Sequence, residues 1–320
     1  LPQELPSAQS QSRRQGQPHW ELAQVVSQLR HSREVAHNIR QGGRLRDLPS
    51  RDEVHQVLEG LFAALFPTHY GRPDLTDESI DYFVGSTLHA TLNLLHEQVR
   101  RELSFSHEAA EPDDAAIGRQ AEAITRGFAA ALPGIRALLA SDLQAAYQGD
   151  PAASSLSEIL LAYPGMTAVI EHRLAHALYA LGAPLLARLI SNHAHALTGI
   201  DIHPGAKVGG SFFIDHGTGV VIGQTAVLGK NVRLYQAVTL GAKRFPLDDQ
   251  GALIKGIPRH PIVEDDVVVY AGATILGRIT IGRGSTIGGN VWLTDSVPPG
   301  SVVTQARSST DGKAAPAPAA

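Results

Sequence analysis

The stretch Ile262-Val-Glu-Asp-Asp-Val-Val-Val-Tyr-Ala-Gly-Ala-Thr-Ile-Leu-Gly-Arg-Ile-Thr-Ile-Gly-Arg-Gly-Ser-Thr-Ile-Gly-Gly-Asn-Val-Trp-Leu293 decides the fold. Its apolar residues Val263, Val269, Ile275, Ile281, Ile287 and Leu293 recur at every sixth position. Four places after each of the first five stands a small or β-branched residue: Val267, Ala273, Ile279, Ser285 and Val291. A helix has a period of 3.6 residues and a pleated strand a period of two, so neither accounts for six. Three short strands per coil do, with one hexad on each face of a triangular prism. The apolar residue then points inward, the small residue fits the corner beside it, and glycine relaxes the turn.

The same rhythm runs upstream through Ile202, Val208, Ile214, Val220, Ala226, Val232 and Val238, breaks for about twenty residues and resumes in a new phase at Val263. Thirteen hexads in register predict a left-handed parallel β-helix over 199–305. Residues 242–260 are expected as a loop ejected from it. That loop carries Lys243, Arg244, Asp248, Asp249, Lys255, Arg259 and His260, and a long excursion from a regular repeat reads as functional.

Residues 19–198 read as α-helical, which makes the chain α+β: a helical domain followed by the prism. Ser50-Arg-Asp-Glu53 has the form of a capping box, and Ile80, Phe83, Val84, Leu88, Leu92 and Leu95 predict a helix over 77–104. Pro133-Gly134, Pro164-Gly165 and Gly182 with Pro184 read as helix breaks. Residues 1–18 are expected as a disordered extension and 306–320 as a flexible tail, both by composition.

The 320 residues are 43% hydrophobic and 18% charged, with 27 Lys and Arg against 31 Asp and Glu. A net charge of −4 lacks the basic footprint of a nucleic-acid binder. No uninterrupted apolar run reaches the length of a membrane span, and no secretory signal is visible, so a cytoplasmic location without membrane partners is expected. Cysteine is absent, which excludes disulfides, thiolate nucleophiles and cysteine-ligated metals. His172 and His176 stand at helical i, i+4 spacing without a third ligand nearby. They and the pair His193 and His195 read as packing residues, and no metal site is expected.

Chemistry concentrates at Asp201-Ile-His-Pro204, Asp215-His216-Gly-Thr-Gly219 and Arg259-His260-Pro261. Asp201 precedes Asp215 by 14 residues and His216 by 15, close to one coil, and neighbouring coils stack near 4.8 Å. A carboxylate bonded to one imidazole nitrogen fixes the tautomer and leaves the other nitrogen as a general base. His203 reads as structural.

These segments, with Asp150-Pro-Ala152, Gly223-Gln-Thr-Ala-Val227 and Val238-Thr-Leu-Gly241, resemble the serine acetyltransferases over roughly 135–305. The ending Ile287-Gly-Gly-Asn-Val-Trp-Leu293 and Val297-Pro-Pro-Gly300 resembles a subgroup with a long catalytic loop and a short C-terminus. The resemblance implies transfer of acetyl from acetyl-CoA to the hydroxyl of L-serine. It implies His216 as general base and Asp201 as its orienting carboxylate. It further implies Asp150 and Asp215 on the substrate ammonium, and Arg259 with His260 on the carboxylate. Gly241, Ala242, Ala271 and Gly289 are implied contacts of acetyl-CoA, although simple turn geometry explains the same small residues. Asp150 also suits a helix cap. Cysteine is implied as a feedback inhibitor, and a homotrimer or dimer of trimers as the assembly. A stable complex with the sulfhydrylase is not expected, because the longer family C-terminus is absent. Two further readings stay open: a hexapeptide acyltransferase with another hydroxyl acceptor or acyl donor, and a non-enzymatic trimeric scaffold.

Overall fold

The computed structural model describes residues 22–36, 47–106 and 113–305. The readings for 1–18 and 306–320 lie outside these residues. The chain divides into two units, Leu1–Leu45 and Arg46–Ala320. In the first, α1 (Leu22–His31) runs into a π-helical turn at Ser32–Ala36.

The second unit begins with α2 (Arg51–Leu65), α3 (Pro67–Tyr70), α4 (Ile80–Ser106), α5 (Asp114–Gly149), α6 (Leu156–Ala162), α7 (Pro164–Leu181) and α8 (Pro184–Thr198). The α2 start shows how the sequence signal is completed in space. Ser50 Oγ accepts from the Glu53 N–H at 3.3 Å, but the Ser50 N–H donates to Oε1 of buried Gln98 at 2.8 Å. The Gln98 amide in turn donates to Glu53, so α4 closes the cap that Glu53 alone would have closed.

Pro133-Gly134 does not break the chain. It lies inside α5, flanked by buried Leu132 and Ile135. Packing along the whole inner face, from Ile117 to Ala146, outweighs the one hydrogen bond that proline removes. Among the described residues, α5 is also the one helix long and apolar enough to cross a membrane, by length and composition. Pro164 and Pro184 instead stand at the first positions of α7 and α8, where a missing N–H costs nothing.

The helices are pinned to the prism by a buried ion pair. Arg173 on α7 donates Nε to Asp142 Oδ2 at 2.5 Å and Nη2 to Oδ1 at 2.7 Å. Arg173 Nη2 also reaches the Gly209 carbonyl at 2.8 Å, and Asp142 Oδ1 accepts from the Phe212 N–H at 2.8 Å.

The prism has three parallel sheets. Sheet A is β1 (Asp201–Ile202), β4 (Val221–Ile222), β7 (Thr239–Gly241), β10 (Thr274–Leu276) and β13 (Trp292–Leu293), in that order. Sheet B holds β2 (Lys207–Val208), β5 (Val227–Leu228), β8 (Ile262–Val263) and β11 (Thr280–Ile281). Sheet C holds β3 (Phe213–Ile214), β6 (Arg233–Leu234), β9 (Val268–Val269), β12 (Thr286–Ile287) and β14 (Val302–Val303). Each strand turns one residue outward and the next into the core, the left-handed β-helix that the six-residue rhythm requires.

The register locates a slip in that rhythm. Phe213 pairs with Arg233, twenty residues on, whereas Val221 pairs with Thr239, eighteen on. The turn between β3 and β4 therefore contains two extra residues. Upstream of it Ile202, Val208 and Ile214 are the inward strand residues; downstream Ile222, Leu228, Leu234 and Leu240 are. Val220, Ala226, Val232 and Val238 are equally buried but fill the corners, so the upstream series of sixes joins two kinds of site. The loop leaves after Gly241 and returns at Ile262, with a small antiparallel bridge between Leu247 and Leu253.

Candidate active site

The two extra residues are the reason the first corner can carry chemistry. They lie in Asp215-His216-Gly217-Thr218-Gly219, where sheet C turns into sheet A. His216 has φ +58, Gly217 +86 and Gly219 +80, so the chain loops outward through the left-handed region. The Gly219 N–H donates to the Gly199 carbonyl and the Asp201 N–H to the Val220 carbonyl, both at 2.9 Å, which seats this turn on the start of β1. His216 is left 70% exposed, with Nε2 at 3.9 Å from Asp215 Oδ1.

Asp150 arrives at the same corner from the end of α5. It caps no helix start: α6 is capped by Ser155. Its Oδ1 accepts from the Ala152 N–H at 2.8 Å and its Oδ2 from the Tyr163 hydroxyl at 2.6 Å. The Tyr163 bond, then the Ala152 bond and the nearby charges of His216 and Arg233, hold the Asp150 carboxyl below its ordinary range. The same bond pushes the Tyr163 phenol up to about 12, with Asp215 also acting on it. Asp150, Tyr163, Asp215 and His216 are thus one electrostatic group.

Asp201 stands on the outward side of β1, half-buried, and its charge acts on His203. Among the described residues no hydrogen bond or ion pair joins Asp201 to His216. His203 is held by the Gly205 N–H donating to Nδ1 at 2.9 Å, and burial pushes its ring down to about 4.

A second group sits at the next corner, where sheet A turns into sheet B. His260 is buried and lies over Gly223, where any Cβ would collide with its ring. The Thr225 N–H donates to His260 Nδ1 at 3.1 Å, which leaves Nε2 to carry the proton. Burial first, then the charges of Arg259 and Arg278, pushes His260 down to about 4, so it is neutral at pH 7. Arg259 Nη2 donates to Gln224 Oε1 at 3.3 Å, and the Gln224 amide donates to the Tyr179 hydroxyl at 3.0 Å. Thr225 Oγ1 accepts from the N–H groups of both Arg259 and His260. A cavity of about 420 Å³, walled by Phe245, Pro246, Leu253 and Ile254, opens beside Arg259.

The residues matched to acetyl-CoA divide in the same way. Gly241 ends β7 and Ala242 follows it at the second corner, while Ala271 and Gly289 stack at the first. The two corners are separated by the six residues of one prism face, at most about 20 Å. Among the described residues no hydrogen bond or ion pair joins Asp215 or His216 to Arg259 or His260, whose partners are Gln224 and Thr225.

A family model described as "Serine acetyltransferase, N-terminal" matches residues 79–170, and "Bacterial transferase hexapeptide (six repeats)" matches 260–295. A "Serine acetyltransferase, plasmid" of Synechococcus elongatus is 62% identical over 267 residues, covering 82% of this chain and 84% of that one. The chain belongs to the serine acetyltransferases. The Mycobacterium tuberculosis serine acetyltransferase is 46% identical over 177 residues, 55% of this chain and 73% of that one. Serine acetyltransferase isoform 3 of Entamoeba histolytica, solved in complex with cysteine, superposes with a TM-score of 0.65 at 35% identity, covering 88% of this chain and 89% of that one. The Neisseria gonorrhoeae serine acetyltransferase, solved in complex with serine, gives a TM-score of 0.52 at 30% identity, covering 82% of this chain and 99% of that one.

Read as a serine acetyltransferase, the chain shows three residues that its motifs left without a role. Tyr163 fixes Asp150; its only sequence signal was its place before Pro164-Gly165, which reads as punctuation. Gln224 and Thr225 fix Arg259 and His260, and both lie inside Gly223-Gln-Thr-Ala-Val227. Their roles depend on a loop returning from 35 residues away, which no local pattern records.

Proposed function

We propose that His216 is the general base of serine acetylation and that its site is completed by a second copy of the chain. The observation that carries this is the gathering of Asp150, Tyr163, Asp215 and His216 at one corner, with the cation Arg259 held at another. Two carboxylates suit the substrate ammonium, and the planar guanidinium suits its carboxylate. One prism face divides them, so a neighbouring prism must supply the missing half. A homotrimer does so three times over, with the first corner of each copy facing the second corner of the next.

In this arrangement the serine hydroxyl gives its proton to His216 as its oxygen attacks the thioester carbonyl. The tetrahedral oxyanion collapses, the C–S bond breaks, and the His216 imidazolium returns its proton to the leaving sulfur, so that CoA departs as the thiol. Asp201, one step from the His216 turn, stabilises the imidazolium, and neutral His260 donates Nε2–H to the substrate. Acetyl-CoA lies in the seam, passing Gly241 and Ala242 of one copy and Ala271 and Gly289 of its neighbour. Cysteine, with the same ammonium and carboxylate as serine, competes for the same groups.

The test is thiol release from acetyl-CoA with L-serine, L-homoserine or a sugar alcohol as acceptor. Serine is expected to be the efficient acceptor and cysteine a competitive inhibitor against it. Preference for homoserine or sugar would assign another acceptor, and absence of thiol release would leave a scaffold.

A further inference from the structure

Three side chains of α7, set at three-residue steps, reach across to the prism. Arg173 Nη2 donates to the Gly209 carbonyl at 2.8 Å, and His176 Nδ1 lies 2.8 Å from the Pro204 carbonyl. The third is Tyr179, whose hydroxyl accepts from the Gln224 amide at 3.0 Å. Residues three apart form one ridge of a helix, so the buried ion pair of Arg173 also fixes where Tyr179 stands. The first two contacts end on backbone. The third ends on a side chain and continues, because Gln224 Oε1 accepts from Arg259 Nη2 at 3.3 Å. Two hydrogen bonds therefore join α7 to the guanidinium read as the carboxylate partner.

Arg259 needs such a path. Among the described residues its guanidinium has no ion pair and no hydrogen bond besides the one to Gln224. One neutral acceptor restrains a long, flexible stem only if the acceptor is itself held. Gln224 does not hold itself. Its terminal torsion is broad, and a turned amide would point N–H groups at a guanidinium that can only donate.

The surroundings of Gln224 show what holds it. A Cβ on Gly205 would lie 3.1 Å from Gln224 Cγ, so the glycine seats the stem of the side chain. The amide end is not packed in the same way. It stands between the cavity of about 420 Å³ beside Arg259 and a second cavity of about 320 Å³ lined by Tyr179, Gly205 and Lys207. With open space on both sides, its two hydrogen bonds decide its orientation. Tyr179 is the fixed end of the pair: half-buried, with its ring edge-on to His203 at 5.8 Å and 82°.

We propose that Tyr179 is a positioning residue for the acceptor's carboxylate: through Gln224 it holds Arg259 in the orientation that makes a bidentate contact. The inference rests on the serine acetyltransferase reading of Arg259 and extends that site into the helices. All three residues belong to one chain, so the path is complete within each copy and the seam receives an arginine already aligned.

The experiment compares L-serine with serinol, which keeps the ammonium and the hydroxyl but has no carboxylate, in the full-length enzyme. Tyr179→Phe keeps the ring and removes the hydroxyl. It is expected to raise the KM for L-serine about 2- to 10-fold, the range of one hydrogen bond, with the KM for acetyl-CoA unmoved. The loss should fall on serine and spare serinol. Gln224→Leu should weaken serine at least as much, and adding Tyr179→Phe to it should cost nothing further, because the path is already cut. An equal loss with serine and serinol, an additive double variant, or a wild-type KM for serine in Tyr179→Phe would overturn the proposal. Titration calorimetry of L-serine and serinol, without a donor, separates this inference from its parent. If the wild-type enzyme prefers L-serine in binding but transfers no acetyl to it, the parent reading fails. The positioning role then stands if Tyr179→Phe reduces that preference and falls if it does not. No preference for L-serine over serinol in the wild type would overturn both.

Discussion

His216 occupies a position that few side chains tolerate. Its φ of +58 and the glycine after it are forced by the two extra residues of the corner, and the result is an imidazole standing clear of the prism. Replacing it by alanine removes the proposed base but little packing, since the side chain is mostly in water. His216→Ala is expected to lower kcat with serine by about 10²–10⁴ while leaving the unfolding midpoint in place, consistent with loss of general-base catalysis. Near-normal turnover would assign the proton to another group. Arg259 makes the complementary case. Its guanidinium is already aligned by Gln224, which leaves other donors of its planar fork for a carboxylate. Arg259→Lys retains the charge but loses the bidentate geometry, so the KM for serine should rise far more than the KM for acetyl-CoA. Equal changes in both constants would place Arg259 outside the carboxylate site. Both residues are legible as chemistry, because nothing in a hexad requires Asp-His or Arg-His at those points. Their supports are not, since Tyr163 and Gln224 act only through the approach of elements distant in the chain.

At the scale of elements, the prism is legible because its period comes from geometry: one face, one strand, six residues. The slip at Asp215–Gly219 escapes a count of sixes, because a two-residue insertion moves the series from strand centres onto corner residues that are also apolar and buried. Pro133 misleads for the opposite reason, since the punctuation is real in sequence but the helix is held by its packing. The helical elements also carry a buried carboxyl that no pattern announces. Glu171 on α7 is buried, with both carboxyl oxygens 3.0 Å from Nδ1 of His193 on α8, whose ring lies 4.9 Å from that of His55 on α2. Burial pushes Glu171 up to about 8 from an ordinary 4.5. The folded protein therefore keeps a proton that the unfolded chain releases above about pH 4.5. The associated stability is complete below that pH and is lost as pH rises through about 8. Glu171→Gln cannot ionise and keeps a similar shape. Urea unfolding between pH 6 and 8.5 should show stability falling in the wild type and a flatter profile in the variant. Parallel profiles would mean that the carboxyl is already ionised at neutral pH.

At the scale of the molecule, the arrangement of the site predicts how mixed assemblies behave. One corner carries Asp150, Asp215 and His216, the next carries Arg259 and His260, and a single chain keeps them a face apart. If each site joins the first corner of one copy to the second corner of its neighbour, two inactive chains can make an active assembly. His216→Ala leaves the second corner intact, and Arg259→Ala leaves the first. In a random equimolar trimer each seam draws its corners from two neighbours independently, so about a quarter of the seams contain both intact halves. Co-expression of the two variants should therefore restore about a quarter of the wild-type kcat per seam, far above the sum of the parents. Separately purified variants mixed without subunit exchange should stay inactive, which removes trace wild-type contamination as an explanation. Restoration must also fail for His216→Ala co-expressed with Asp215→Ala, because both lesions fall on the same corner and no seam escapes them. No recovery in the first pairing would return the complete site to a single chain, and recovery in the second would separate Asp215 from His216.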